Sequence, residues 1–309
     1  HEDLRDQINS ADAYNFSENV PGFGSADDHG THVAGDAAAT GNNGKGGLGT
    51  AWNVTILPLC IFPNATQGNA SAAIRYAANK GASVINMSFG SGFPSAMLND
   101  AVQYANDKDV VLVAAAGNDN SSDLGYPASF ENVLAVGSTD QGSGKSDFSN
   151  FGPRVDVAAP GGNVLSTLAG SDADYGLESG TSMASPVAAG AVALMRAYAP
   201  DLPNSEIVDT LKRTAVQGRD RFTAFGEINV GEAMRNLQVP IVVDDGPRDA
   251  STFNNEGTLI NPMGDAGLDA AKLINVDDYT FDVTSVYRPG QGSMASFASG
   301  FSVPQNSPG

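Results

Sequence analysis

Three short strings in this chain carry side chains suited to moving a proton and an acyl group. Ser182 lies in Gly180-Thr181-Ser182-Met183-Ala184-Ser185-Pro186. Small and apolar residues follow at once and predict a buried helix over 183–199. A hydroxyl at a helix start sits beside backbone N–H groups that lack intrahelical partners and favour a developing negative charge. Pro186 is expected in the first turn, where its missing N–H costs little. A lone serine in such a turn is far more often a cap than a nucleophile, but the whole seven-residue string favours the nucleophile.

The second string, His29-Gly30-Thr31-His32-Val33-Ala34-Gly35, opens a small-residue helix predicted to reach about Ala39. Histidine is the usual base for a hydroxyl because its ordinary pKa lies near neutrality. His29 and His32 share a helix face, so a metal site has to be weighed. The only other histidine is His1, and no Glu or Cys stands as a third ligand, so the base is the better reading of His29. The third string, Val110 to Asn118, is an apolar run of strand length ending in Gly117-Asn118. Its plain reading is a buried strand closed by a turn. Its chemical reading makes the Asn118 amide a donor to an oxyanion.

These side chains need a frame. Strand candidates are 54–62, 83–88, 110–116, 133–137 and 155–159; helix candidates are 29–39, 69–79, 95–106, 183–199 and 204–214. Buried strands alternating with helices predict an α/β fold in three layers, with a mostly parallel central sheet flanked by helices. Ligands then sit beyond the C-terminal ends of the strands, where Asn118 falls.

Taken together and in this order, the three strings resemble the subtilases, the subtilisin-like serine proteases. The resemblance runs from His1 to about Leu237 and implies His29 as base, Ser182 as nucleophile and Asn118 as oxyanion donor. It implies a Ser-His-Asp acyl-enzyme mechanism, in which a carboxylate fixes the imidazole tautomer. His1-Glu2-Asp3-Leu4 resembles the tail of the segment that follows the family's Asp, so that Asp is expected upstream of His1, and residues 1–309 alone are expected to turn over poorly. Asp28, where the family often has Gly, and Asp27 are read as solvated carboxylates, since adjacent helical residues do not face each other. The family's substrate walls fall on Ser88, Phe89 and Gly90 on one side and Ala115, Ala116 and Gly117 on the other. Gly125 falls at the pocket floor, or is a plain turn residue. The loop Asn42 to Gly49 resembles a family calcium loop, with Asp3 and Asn43 at ligand positions; a structural Ca2+ or a bare Gly-rich loop are the two readings, and catalysis itself needs no cofactor. Val187 departs from the family's common Pro-His pair. A pseudoprotease that binds extended peptides is the alternative function. An esterase of the α/β-hydrolase type is discounted, because His29 precedes Ser182 and the Ser string lacks the Gly-x-Ser-x-Gly elbow.

Composition narrows the partners. The chain has 309 residues, 41% of them apolar, enough for one large domain and a smaller piece. A net charge of −19, with no basic cluster, argues against nucleic acid. No apolar run is long enough to span a membrane. Cys60 is the sole cysteine, so no internal disulfide exists, and its apolar surroundings suggest a core thiol. The expected partners are polypeptide substrates, the expected state is a monomer, and the resemblance implies a secreted protein. A catalytic domain is expected over 1–238 and a β-rich accessory segment over 239–309, with strand candidates at 239–245 and 278–287.

Overall fold

The computed structural model describes residues 1–24, 27–218 and 220–237. The expected boundary at 238/239 and both strand candidates beyond it lie outside these residues.

Two short strands open the chain, β1 (Tyr14–Asn15) and β2 (Val20–Pro21), followed by helix α1 (Asp28–Ala38). Strand β3 (Leu59–Cys60), helix α2 (Gln67–Asn79), strand β4 (Val84–Met87), helix α3 (Ala96–Asp107) and strand β5 (Val111–Ala115) come next. Strands β6 (Val133–Thr139), β7 (Val157–Pro160), β8 (Val164–Thr167) and β9 (Tyr175–Glu178) precede helix α4 (Thr181–Tyr198). Helix α5 (Asn204–Arg213), strand β10 (Gly226–Glu227) and helix α6 (Val230–Asn236) follow. The helix starts have visible causes: the side chains of Asp27, Thr66, Ser95 and Asn229 cap α1, α2, α3 and α6.

The central sheet runs β10-β7-β6-β5-β4, and every pairing is parallel. Period-two alternation splits β5 between two cores. Leu112 and Ala114 join α2 and α3 through Ala73, Ile74, Leu98 and Val102. Val111 and Val113 join α4, α5 and α6 through Ala188, Met195, Ile207 and Ala233. Helices therefore cover both faces, as the alternation of elements predicts.

Two expectations need correction. The candidate strand over 54–62 forms only the two-residue β3, in a separate sheet ordered β2-β1-β3. Ile56 pairs with Ile8 before it, and Pro58, having no N–H, interrupts the ladder between them. Cys60 on β3 is accordingly half-buried rather than a core thiol. Helix α4 begins at Thr181, not 183, so Pro186 lies inside the helix and not in its first turn. The ring deprives the Ser182 carbonyl of its helical donor. That carbonyl instead accepts from Ser88 Oγ at 2.8 Å, which explains how the helix tolerates the proline.

Candidate active site

Helix α4 presents Ser182 in its first turn. Gly180 caps the helix without a side-chain hydrogen bond, and the Ser182 N–H has no intrahelical partner by geometry. A hydrogen-bonded chain fixes this end to the sheet. Ser185 Oγ donates to Asn86 Oδ1 at 2.6 Å, Asn86 Nδ2 donates to Ser88 Oγ at 3.0 Å, and Ser88 Oγ donates to the Ser182 carbonyl. Ser182 Oγ itself lies 3.5 Å from the Ser88 carbonyl. The half-buried hydroxyl therefore stands over the C-terminal end of β4.

Asn118 follows β5 and is tied to the same helix start. Its Oδ1 accepts from both Thr181 N at 2.9 Å and Thr181 Oγ1 at 2.8 Å. Two donors on one atom identify that atom as the oxygen and fix the amide orientation. The Nδ2 group is then the free end, with no partner among the described residues. It lies 3.6 Å from where a Cβ on Gly180 would stand, an ordinary contact distance that places it beside the helix start. Thr181 Oγ1 also accepts from Gly117 N at 3.1 Å, which joins the strand end to the helix start.

His29 is exposed in the first turn of α1. It makes no side-chain hydrogen bond among the described residues, to Ser182 or to anything else. Its helix nevertheless packs closely on that of Ser182. A Cβ at Gly190 of α4 would lie 2.9 Å from the Ala37 carbonyl of α1 and 2.6 Å from Thr50 Cβ. The neighbouring carboxylates are directed to backbone groups. Asp27 Oδ1 caps Gly30 N at 2.7 Å and Asp28 Oδ1 accepts from Ala169 N at 2.9 Å.

His32 is buried and has a different role. Its Nδ1 is 3.0 Å from Asp36 Oδ2, and its Nε2 is 3.0 Å from the Val164 carbonyl and 3.3 Å from that of Gly176. A carbonyl only accepts, so Nε2 carries a proton and is no metal ligand. Burial alone would lower the His32 pKa, but the hydrogen bond and charge of Asp36 outweigh it and raise it above its ordinary value. Burial raises Asp36 as well, against the opposing pull of His32.

The expected groove walls leave the sheet side by side, since β4 and β5 pair in parallel with Met87 opposite Ala114. Ser88, Phe89 and Gly90 continue one strand, and Ala115, Ala116 and Gly117 end the other. Ala116 is buried, Phe89 packs toward the α2–α3 core, and Gly90 is exposed. Gly125 adjoins a two-way backbone bridge between Ser91 and Tyr126. A Cβ there would lie 3.0 Å from the Ser91 carbonyl, so close backbone approach accounts for the glycine. A cavity of about 490 Å³ lined by Ser143, Val216, Gln217, Glu227 and Asn229 shares no residue with this site.

Asp3 and Asn43 do meet, but as partners of each other. Asn43 Nδ2 donates to Asp3 Oδ1 at 2.7 Å and Tyr175 Oη donates to Asp3 Oδ2 at 2.7 Å. Asn43 Oδ1 accepts from Lys45 N at 3.0 Å. Calcium requires free oxygen ligands. Here each carboxylate oxygen accepts one protein hydrogen bond and the Asn43 amide turns its N–H toward Asp3, so an ion between them requires that amide to turn.

Sequence reading passed over Thr181 and Asn150. Thr181 lies inside the Ser182 string, so its place beside the hydroxyl was available. Asn150, buried in the segment 148–152, carries no local signal.

Comparison with known proteins adds an independent finding. The subtilase family model matches residues 1–245. A thermophilic serine proteinase of Bacillus sp. (strain AK1) is 42% identical over 234 residues, covering 74% of this chain and 57% of that protein. The chain thus spans little more than half the length of that relative. Thermitase of Thermoactinomyces vulgaris is 38% identical over 76% of this chain and 84% of its own. A solved protease from Pseudoalteromonas arctica superposes with a TM-score of 0.70 at 29% identity, over 76% of this chain and 86% of the other.

Proposed function

Since the chain belongs to the subtilase family, we propose that it is the catalytic module of a secreted serine endopeptidase. Ser182 Oγ attacks the carbonyl carbon of a peptide bond while His29 takes its proton. The C=O π pair moves to oxygen, and the oxyanion is held by Asn118 Nδ2 and the Ser182 N–H. His29 then gives the proton to the leaving amine as the C–N bond breaks, and water resolves the acyl-enzyme by the same route. Asp27 and Asp28 are engaged with backbone donors, so neither is assigned the orienting role.

The observation that carries this reading is the Asn118 amide. Its oxygen is occupied by Thr181, and its N–H groups, without a partner among the described residues, lie near the helix start that carries the Ser182 hydroxyl. A donor fixed before the reaction needs no reorganisation when charge develops. An extended polypeptide laid between residues 88–90 and 115–117 supplies the substrate, its backbone adding as a strand. Among the described residues no helix is long and apolar enough to cross a membrane.

A fluorophosphonate probe tests the assignment. Ser182 is expected to be the labelled residue, and Ser182→Ala should abolish both labelling and hydrolysis of a chromogenic peptide with an aromatic residue before the scissile bond. Labelling at another serine, or hydrolysis that survives the substitution, would overturn the reading.

A further inference from the structure

The turn that carries Asn118 belongs to no helix or strand, yet it is held more tightly than an exposed loop needs. One buried side chain accounts for most of this. Asn150 is 1% exposed and uses both ends of its amide on the turn. Its Oδ1 accepts from Asp119 N at 2.9 Å and Ser121 N at 3.0 Å. Its Nδ2 donates to the Ala116 carbonyl at 3.0 Å and the Asp123 carbonyl at 3.1 Å. Its backbone N donates to the Gly117 carbonyl at 3.0 Å. The amide thus has both N–H groups donated and its oxygen doubly occupied, and the bonded groups flank Asn118 on both sides.

The approach requires glycine at 117. Gly117 has φ 110, and a Cβ there would lie 2.3 Å from Asn150 Nδ2. Neighbours extend the brace: Asn120 N donates to the Phe148 carbonyl at 2.8 Å, Phe151 N to the Ser121 carbonyl at 3.0 Å, and Lys145 Nζ to Asn120 Oδ1 at 2.8 Å. Thr181 grips the Asn118 side chain from the helix, while Asn150 grips the backbone on either side of Asn118 from the opposite segment.

We propose that Asn150 is a positioning residue for the transition state: it fixes the turn over 116–123 so that Asn118 Nδ2 is already aimed where the oxyanion forms. It touches no reacting atom and acts only through Asn118. The inference rests on the reading of Asn118 as oxyanion donor. It goes further by naming the residue that holds that donor in place.

Asn150→Asp in the full-length gene product is the test. The substitution keeps the side-chain volume and the two bonds from Asp119 N and Ser121 N. It replaces the N–H donors by an oxygen facing the carbonyls of Ala116 and Asp123, which pushes the turn away. A displacement of about 1 Å in a catalytic group costs up to roughly 100-fold in rate, so kcat should fall by about 10- to 100-fold with KM within about threefold. In an Asn118→Ala background the same substitution should lower kcat by less than about twofold, because the group it positions is gone. Melting temperature should drop equally in both backgrounds, which separates positioning from general loosening. Asn150→Ser, which loses one donor without adding charge, stands in if the Asp variant does not fold. Rate losses that multiply in the double variant, or an unchanged kcat in Asn150→Asp while Asn118→Ala is impaired, would sink this inference and leave the reading of Asn118 standing. An unimpaired kcat in Asn118→Ala would take both down.

Discussion

Asn118 does two separable things, and two substitutions pull them apart. Its Oδ1 anchors Thr181, and in the proposed mechanism its Nδ2, unpartnered among the described residues, stabilises the oxyanion. Asn118→Asp keeps an oxygen for Thr181 N and Oγ1 but puts a second, negatively charged oxygen where the donor stood. Asn118→Ala removes both ends. Thr181 is fully buried, so the Ala variant leaves a buried N–H and hydroxyl without an acceptor. Each such group costs about 1–3 kcal/mol. For a domain of this size, each kcal/mol lowers the melting temperature by about 2–4 °C. Loss of one oxyanion donor, as measured in a subtilisin, a relative of this chain, costs about 10²–10³ in kcat. Ala should therefore lose both stability and kcat. Asp should lose at least as much kcat and markedly less stability. KM should stay nearly constant in both, since the lost interaction is made only in the transition state. Steady-state kinetics on a chromogenic peptide and thermal melts read the two effects separately. The reasoning fails if Asn118→Asp keeps kcat within tenfold of the parent, or if the loss appears in KM alone.

Other consequences follow from the packing and the buried ionisable pair. Both His32 and Asp36 have raised pKa values in the fold, so the native state binds more protons than the unfolded chain. The contribution of His32 is complete below about pH 6.5 and is lost as pH rises through its raised folded value. Denaturant melts across that window should show stability falling with pH, and Asp36→Asn should flatten the slope; an unchanged slope would count against Asp36 as the cause of the raised His32 value. Gly190→Ala should destabilise the chain by about 1–3 kcal/mol through overpacking against Thr50 and Ala37, despite the better helix propensity of alanine. A gain in urea midpoint would show that the helices can part without cost. Because Asp3 is satisfied by Asn43 and Tyr175, chelation should leave the melting temperature unchanged, and Tyr175→Phe should lower it by leaving a buried carboxylate oxygen bare. A rise of several degrees on adding calcium would show that the Asn43 amide turns to make the ion site.

What could be read in advance was set by local pattern. The apolar run of β5 and the small-residue run of α4 are largely buried, so both stand out as continuous apolar stretches in the sequence. The motif strings place Ser182 at a helix start and Asn118 just past a strand end, and the structure has both there. The antiparallel ribbon of β8 and β9 was not legible. It is short, and its apolar cross-strand pair Leu165 and Leu177 faces solvent, the reverse of the usual alternation. The run over 54–62 looked like a core strand because hydropathy does not register the lost donor of Pro58. Asn150 was invisible for a further reason. A buried amide has no periodic signature, and its partners over 116–123 come from a different segment of the chain. His29 stands at a helix start as the string predicts, but its ring makes no hydrogen bond among the described residues.

The most direct test is the structure of the protein with a peptidyl boronic acid bound. A bond from boron to Ser182 Oγ is expected, with one boronate oxygen about 2.7–3.1 Å from both Asn118 Nδ2 and Ser182 N and a His29 ring nitrogen within hydrogen-bond reach of the adduct. An adduct on Ser182 whose oxygens all point away from Asn118, or a His29 ring that stays out of reach, would contradict it.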